Sequence, residues 1–281
     1  MGVFQNHLLA GAAAAASGDA AWAGIEAIAR FDSADECEMI RTQVAATLED
    51  KWTLSFWWKR ASTGGSQGII TGNKPSSGDN ADHIFFHSTN SLRWEAQDYN
   101  GNLGNSNASY SVYTDSAYSS TTAWYHGVCT YDSTQSTASD RVKWYVSSAS
   151  AHGTSSRYSG QPAQNRTPPM NAGVVSGTGY KTHIGYMGPY DSWYNGRLGE
   201  VIFIDGSIYA PTQFAHDVSG TWTAKNPDVD SISWGDNGFY LRFLENDNLG
   251  KDYSGNENDL STSNMGTDHQ ETSNLPPSDS S

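Results

Sequence analysis

Residues 52–59, WTLSFWWK, put Trp52, Leu54, Phe56 and Trp58 on one side of an extended chain and Thr53, Ser55, Trp57 and Lys59 on the other. A period of two marks a β-strand; at 3.6 residues per turn the four large side chains would not share a face. Short aromatic or β-branched runs recur along the chain, each bounded by Gly, Asn, Asp or Ser, the punctuation of a sheet-on-sheet sandwich. They include Gly68–Gly72, Asp82–His87, Ser91–Ala96, Tyr110–Tyr113, Tyr180–Gly185 and Gly238–Phe243. Trp124–Tyr131 and Arg141–Val146 read as a hairpin across a polar connection. Gly196–Gly206 is apolar on both faces, which places it centrally in a sheet.

The 10 Trp, 15 Tyr and 9 Phe supply a substantial core from a hydrophobic fraction of only 37%. With 28 Gly and 16% charged residues, the composition opposes a helical bundle. A formal charge of −14 repels a phosphate backbone and offers no basic cluster, so nucleic acid and anionic membrane are not expected partners. Cys37 and Cys129 are too few for a disulfide framework and fall in or beside strands, which suits unpaired core thiols, with a single bridge as the alternative. No stretch has the length of a membrane-spanning helix, and the opening residues lack the basic n-region of a signal peptide, so cytoplasmic synthesis is expected.

Three parts are expected along the chain: an Ala-rich, partly helical docking arm over 1–24, a sandwich over 25–260 and a polar tail over 261–281. Phe4, Leu8 and Leu9 would anchor the arm on its own domain or on a neighbouring subunit. Residues 147–179 read as a long loop region, and 210–215 as a short helix opened by Pro211. The tail from Ser261 has too few apolar residues to order itself.

Candidate chemistry is sparse. Asp247, Asp252, Asn256 and Asp259 gather oxygen donors of the kind Ca²⁺ prefers, although turns are built from the same residues and the spacing is not that of an EF-hand. A glycosidase needs two carboxylates about 5–10 Å apart. Glu36, Glu38, Glu95, Glu200 and Asp205 do not form such a run, so no catalytic residue is expected. His83 and His87 lie too far apart on a strand for a zinc pair. Trp94, Tyr99, Tyr190, Trp193 and Tyr194 sit in or beside polar loops, where rings either stack on pyranose faces or make a protein contact; the balance favours the protein contact.

Four blocks carry a family resemblance: Trp52–Arg60; Ala123–His126 with Thr134–Lys143; Gly196–Gly206; and Asn237–Leu241 with Asp252–Asp259. Over about 31–260 the chain resembles the concanavalin A-like, laminin G-like jelly-roll family, in the version found in virion proteins of tailed, often marine, bacteriophages. The opening Met1–Leu9 with its alanine run is similar to that set too. The resemblance implies an all-β jelly-roll sandwich with a short N-terminal helical arm, acting by binding as a capsid decoration or surface attachment protein on the virion. Its partners would be other virion proteins and further copies of itself, and a host glycan if it adheres to cells. A tail-fibre-type lectin recognising cell-surface polysaccharide is the alternative, and a glycan-cleaving enzyme the third.

Overall fold

The computed structural model describes residues 22–48, 50–74, 77–98, 108–158, 160–166, 170, 174–175 and 178–279. The chain opens with β1 (Ile28–Phe31), β2 (Glu38–Thr42), β3 (Lys51–Arg60), β4 (Gln67–Lys74), β5 (Ser77–Phe86), β6 (Ser91–Asp98) and β7 (Ala108–Ala117). It continues through β8 (Tyr125–Asp132), β9 (Val142–Val146), β10 (Thr154–Tyr158), β11 (Val174–Val175), β12 (Thr178–Gly179), β13 (Lys181–Ile184) and β14 (Tyr186–Met187). Then follow β15 (Ser192–Trp193), β16 (Gly196–Asp205), β17 (Ala215–Val218), β18 (Thr221–Ala224), β19 (Phe239–Leu241), β20 (Ser261–Ser263) and β21 (Gln270–Glu271). The helix expected near 210–215 is a single 3₁₀ turn, Pro211–Gln213, with proline at its start.

Two antiparallel sheets form the sandwich. One runs β21-β1-β16-β3-β8-β9, with β19 also on β16; the other runs β10-β7-β6-β5-β4-β13-β2-β20. The Trp52 strand behaves as its alternation requires: Trp52, Leu54, Phe56 and Trp58 point into the main core, and Trp57 joins a separate cluster on the far face. Rings from the two sheets interdigitate. Trp58 of β3 lies 5.6 Å from Phe86 of β5, and Tyr131 of β8 lies 5.5 Å from Trp52 and 5.6 Å from Trp94 of β6. Removing one such ring would cost on the order of 3–5 kcal/mol. β16 is central, as its two apolar faces predict. Its bulge between Gly199 and Val201 hands the outer edge from β1 to β19, and Glu200 sits there at φ 42°.

One charged pair is enclosed with this core. Arg166 meets Asp82 at 3.2 Å, both side chains fully buried, and the Arg166 carbonyl accepts from Tyr131 Oη and Ser133 Oγ. Burial pushes the Asp82 carboxyl up to about 6 against the opposing pull of Arg166. Cys37 and Cys129 are buried free thiols.

The polar tail is corrected. β20 pairs with β2 at the edge of one sheet, β21 pairs with β1 at the edge of the other, and Ser278 bridges Ala224. Backbone hydrogen bonds to waiting strand edges order residues whose side chains offer little burial. Among the described residues no helix is long and apolar enough to cross a membrane.

Candidate functional site

The outward face of the eight-stranded sheet carries a polar row in strand register: His183 opposite Thr71, Thr71 opposite His83, His83 opposite Glu95, and Glu95 opposite Ser111. Outward positions of a sandwich strand are ordinarily solvated, yet all five residues here are buried. Part of the cover is the hairpin β14–β15 with its 3₁₀ turn Gly188–Tyr190, closed by Asp191 at φ 45° and by Tyr194 N–H on Gly185 O. Thr71 Oγ1 donates to Tyr186 O at 3.0 Å and pins this cover to the sheet. Gly68 lets it lie flat, since a Cβ there would stand 2.6 Å from Met187 N.

Tyr190 packs edge-on to His83 at 5.8 Å, Tyr186 edge-on to His183 at 5.7 Å, and Trp193 stacks on Tyr186 at 4.1 Å. Between the hairpin and β5–β6 remains a cleft of about 360 Å³. Phe85, Met187 and Tyr190 give it apolar walls, while Ser66, His87, Glu95 and Ser192 give it polar ones. Because the Thr71 hydroxyl proton goes to Tyr186 O, His83 Nδ1 donates to Thr71 Oγ1 at 3.3 Å, and Nε2 is left as a lone pair without a partner. Burial lowers the His83 pKa to about 3, so the ring is neutral at physiological pH. His183 is held by Glu38 Oε2 at 2.8 Å and Asn73 Oδ1 at 3.2 Å. A ring and a few apolar side chains beside convergent polar groups suit a small ligand with one apolar face and several hydroxyls. Among the described lining residues Glu95 is the one carboxylate, whereas glycoside hydrolysis uses a pair.

Of the aromatics singled out in the sequence, Tyr190 lines the cleft and is 47% exposed, and Trp193 is half-buried on the same hairpin. Trp94 and Tyr194 are corrections. Trp94 points with Leu92 and Ala96 into the core, and Tyr194 is fully buried against Phe31 and Phe86, its hydroxyl directed at Lys59 O and Arg197 O. Tyr99, Phe4, Leu8 and Leu9 lie outside the described residues.

Asp252 in the oxygen-rich loop is engaged by the loop's own donors and by β19. Asp252 Oδ1 accepts from Tyr240 N and Ser254 N, and Oδ2 from Ser254 Oγ and Asn258 N. Asp259 accepts from Asp252 N, Asn256 donates to Gly235 O and Gly238 O, and Asp247 is exposed. These residues do the work of a turn. Sequence reasoning passed over Glu95, His83 and His87 as isolated or ordinary, because only strand pairing makes them neighbours.

No family model matches the chain, and no curated protein matches it. Among solved structures it is similar to a candidate carbohydrate-binding protein of Bacteroides ovatus, at 13% identity and TM-score 0.58, over 90% of this chain and 62% of that one. It thus spans about three fifths of that protein's length. Mouse laminin α1 domains LG4-5 follow at 10% identity and TM-score 0.43, covering 66% of this chain and 45% of that one. A tailspike protein of an Escherichia coli O157:H7 bacteriophage stands at 11% identity and TM-score 0.42, covering 64% of this chain and 22% of that one. At such identities the likeness to the Bacteroides ovatus structure speaks to architecture alone: the chain is an all-β jelly-roll sandwich, as its alternating aromatic strands require.

Proposed function

We propose that the chain is a glycan-binding protein that works by adhesion, and that the cleft beneath the β14–β15 hairpin seats the sugar. The observation that carries this reading is Tyr190, a large ring 47% exposed at the mouth of a cleft whose other walls offer the Glu95 carboxylate, His87 and two serine hydroxyls. A pyranose ring has the same division, an apolar face of C–H groups and a rim of hydroxyls. The similar Bacteroides ovatus structure, that of a candidate carbohydrate-binding protein, supports the reading by analogy of fold. The proposal extends to place: an attachment or decoration protein on the exterior of a phage particle, made in the host cytoplasm, present in several copies and held by the arm bearing Phe4, Leu8 and Leu9. The four sequence blocks that resemble phage virion jelly rolls support that part.

Glycan-array binding followed by titration of the best ligand tests the site. Tyr190→Ala should weaken that ligand by at least about tenfold, worth about 1.4 kcal/mol, while leaving the melting temperature unchanged, because the ring is half in solvent. An array on which the intact protein retains nothing, or a Tyr190→Ala variant that binds as well as the parent, would refute the site.

A further inference from the structure

Cys37 follows a four-residue turn, 33–36, that carries the chain from β1 in one sheet to β2 in the other. His269 ends a 3₁₀ turn that carries it from β20, beside β2, to β21, beside β1. The two crossings meet at the lip of the sandwich, where both edge strands change sheets. Glu36 at φ 55° and Asn264 at φ 54° form the two corners, joined by Asn264 Nδ2 on Glu36 O and by Cys37 Sγ on Asn264 O.

At this lip Cys37 Sγ lies 3.3 Å from His269 Nε2, and a carboxylate oxygen of Asp35 completes a set of three ligand atoms all within 4.8 Å of one another. Two ligands of one tetrahedral zinc ion, at about 2.3 Å for sulfur and about 2.0–2.1 Å for nitrogen, stand about 3.5 Å apart. The Cys37–His269 separation is already close to that value. Asp35 is exposed and free to swing in, leaving a fourth position for water.

We propose that Cys37, His269 and Asp35 bind a divalent transition ion of zinc type, a clamp that fastens the β20–β21 segment to the β1–β2 turn. Binding exchanges protons for the metal: the ion takes the sulfur lone pair as the thiol releases its proton, and takes His269 Nε2 in its unprotonated form. The ring must then carry its proton on Nδ1. Asp268 Oδ1 stands 3.1 Å from Nδ1 as an acceptor for it, and the Gly266 N–H that now points at Nδ1 from 3.1 Å must turn aside when that nitrogen carries the proton. Without metal the other tautomer is the one the backbone serves, with Gly266 N–H donating to Nδ1 at 3.1 Å and Nε2–H facing the sulfur. Carboxylates in the second rank that orient a ligating histidine are a regular part of such sites. A divalent ion takes the place of the thiol proton and brings its own charge to the site, so binding and proton release are coupled.

Cobalt(II) titration of the full chain under reducing conditions tests the clamp, since thiolate ligation gives an intense near-ultraviolet charge-transfer band. One ion per chain, displaceable by zinc, is expected, with a zinc-dependent rise in melting temperature that EDTA reverses. Cys129→Ala should keep the band, whereas Cys37→Ser and His269→Gln should lose it. Asp35→Asn is exposed and should fold as the parent does, yet bind at least tenfold more weakly. Absence of the band, a band that survives Cys37→Ser, or Asp35→Asn and His269→Gln binding as the parent does would overturn the assignment. If Cys37→Ser and His269→Gln do not fold, Asp35→Asn and the Cys129→Ala control decide it by the same criteria.

Discussion

His126 makes the stability of this sandwich depend on pH in a way that can be worked out from its neighbours. The ring lies on the outward face of β8, 4.9 Å from Trp57 and 6.4 Å from Trp222, and is 1% exposed. Trp222 Nε1–H donates to Nδ1 at 3.0 Å, so Nε2 carries the single ring proton and donates to Ser55 Oγ at 2.8 Å. A second proton, on Nδ1, would face the indole N–H directly. Burial lowers the pKa to about 3, while the unfolded chain titrates near 6.5. The unfolded state therefore binds more protons below pH 6.5, and stability falls as the pH drops from about 6.5 toward 3. At pH 5 the difference amounts to about 2 kcal/mol for His126 relative to pH 7.5. Urea denaturation at the two pH values measures it. The parent should lose about 2 kcal/mol more than His126→Gln between pH 7.5 and 5, since all other titrating groups are shared. Equal losses in the two proteins, or an NMR titration placing His126 near 6.5 in the folded state, would refute the reasoning.

Two further outcomes follow from the packing. Gly68→Val should lift the β14–β15 hairpin, because even a Cβ meets Met187 N at 2.6 Å; hydrogen exchange at Tyr194 N–H, bonded to Gly185 O, should accelerate and glycan binding should be lost. Glu200 accepts from Trp22 Nε1–H and Tyr240 O–H, and burial raises its pKa despite them, so its native form holds the proton more tightly and contributes most at low pH. Glu200→Gln keeps an acceptor and should flatten that dependence without loss at neutral pH. Glu200→Ala orphans a buried hydroxyl and should cost about 1–3 kcal/mol, read by chemical denaturation.

Where local alternation decides the structure, the sequence was legible. Residues 52–59 put the correct four side chains inward, and the β8–β9 hairpin and the central place of β16 follow from their own patterns. Trp94 could have been placed by the same rule, since Leu92, Trp94 and Ala96 share its face; judging it by the nearby polar loop outweighed the pleat. The 261–271 strands were not legible, because their order comes from main-chain bonds to β1 and β2, and side-chain composition is silent on that. The row His183, Thr71, His83, Glu95 and Ser111 draws on five strands, and no window of sequence contains it. In the oxygen-rich loop the turn reading set beside the cation reading in the sequence is the one whose hydrogen bonds the structure displays, four of them on Asp252.

The last-paired strands also set the timing of folding. Ile28 meets Glu271 and Glu38 meets Ser263, partners more than two hundred residues apart, so β1 and β2 each keep an unpaired side until nearly the whole described chain has been synthesised. Such distant closures slow folding and lengthen the interval in which an open edge can recruit the edge of another molecule. A form truncated before residue 261 should for that reason aggregate more readily during refolding, read by light scattering, than one that carries β20 and β21.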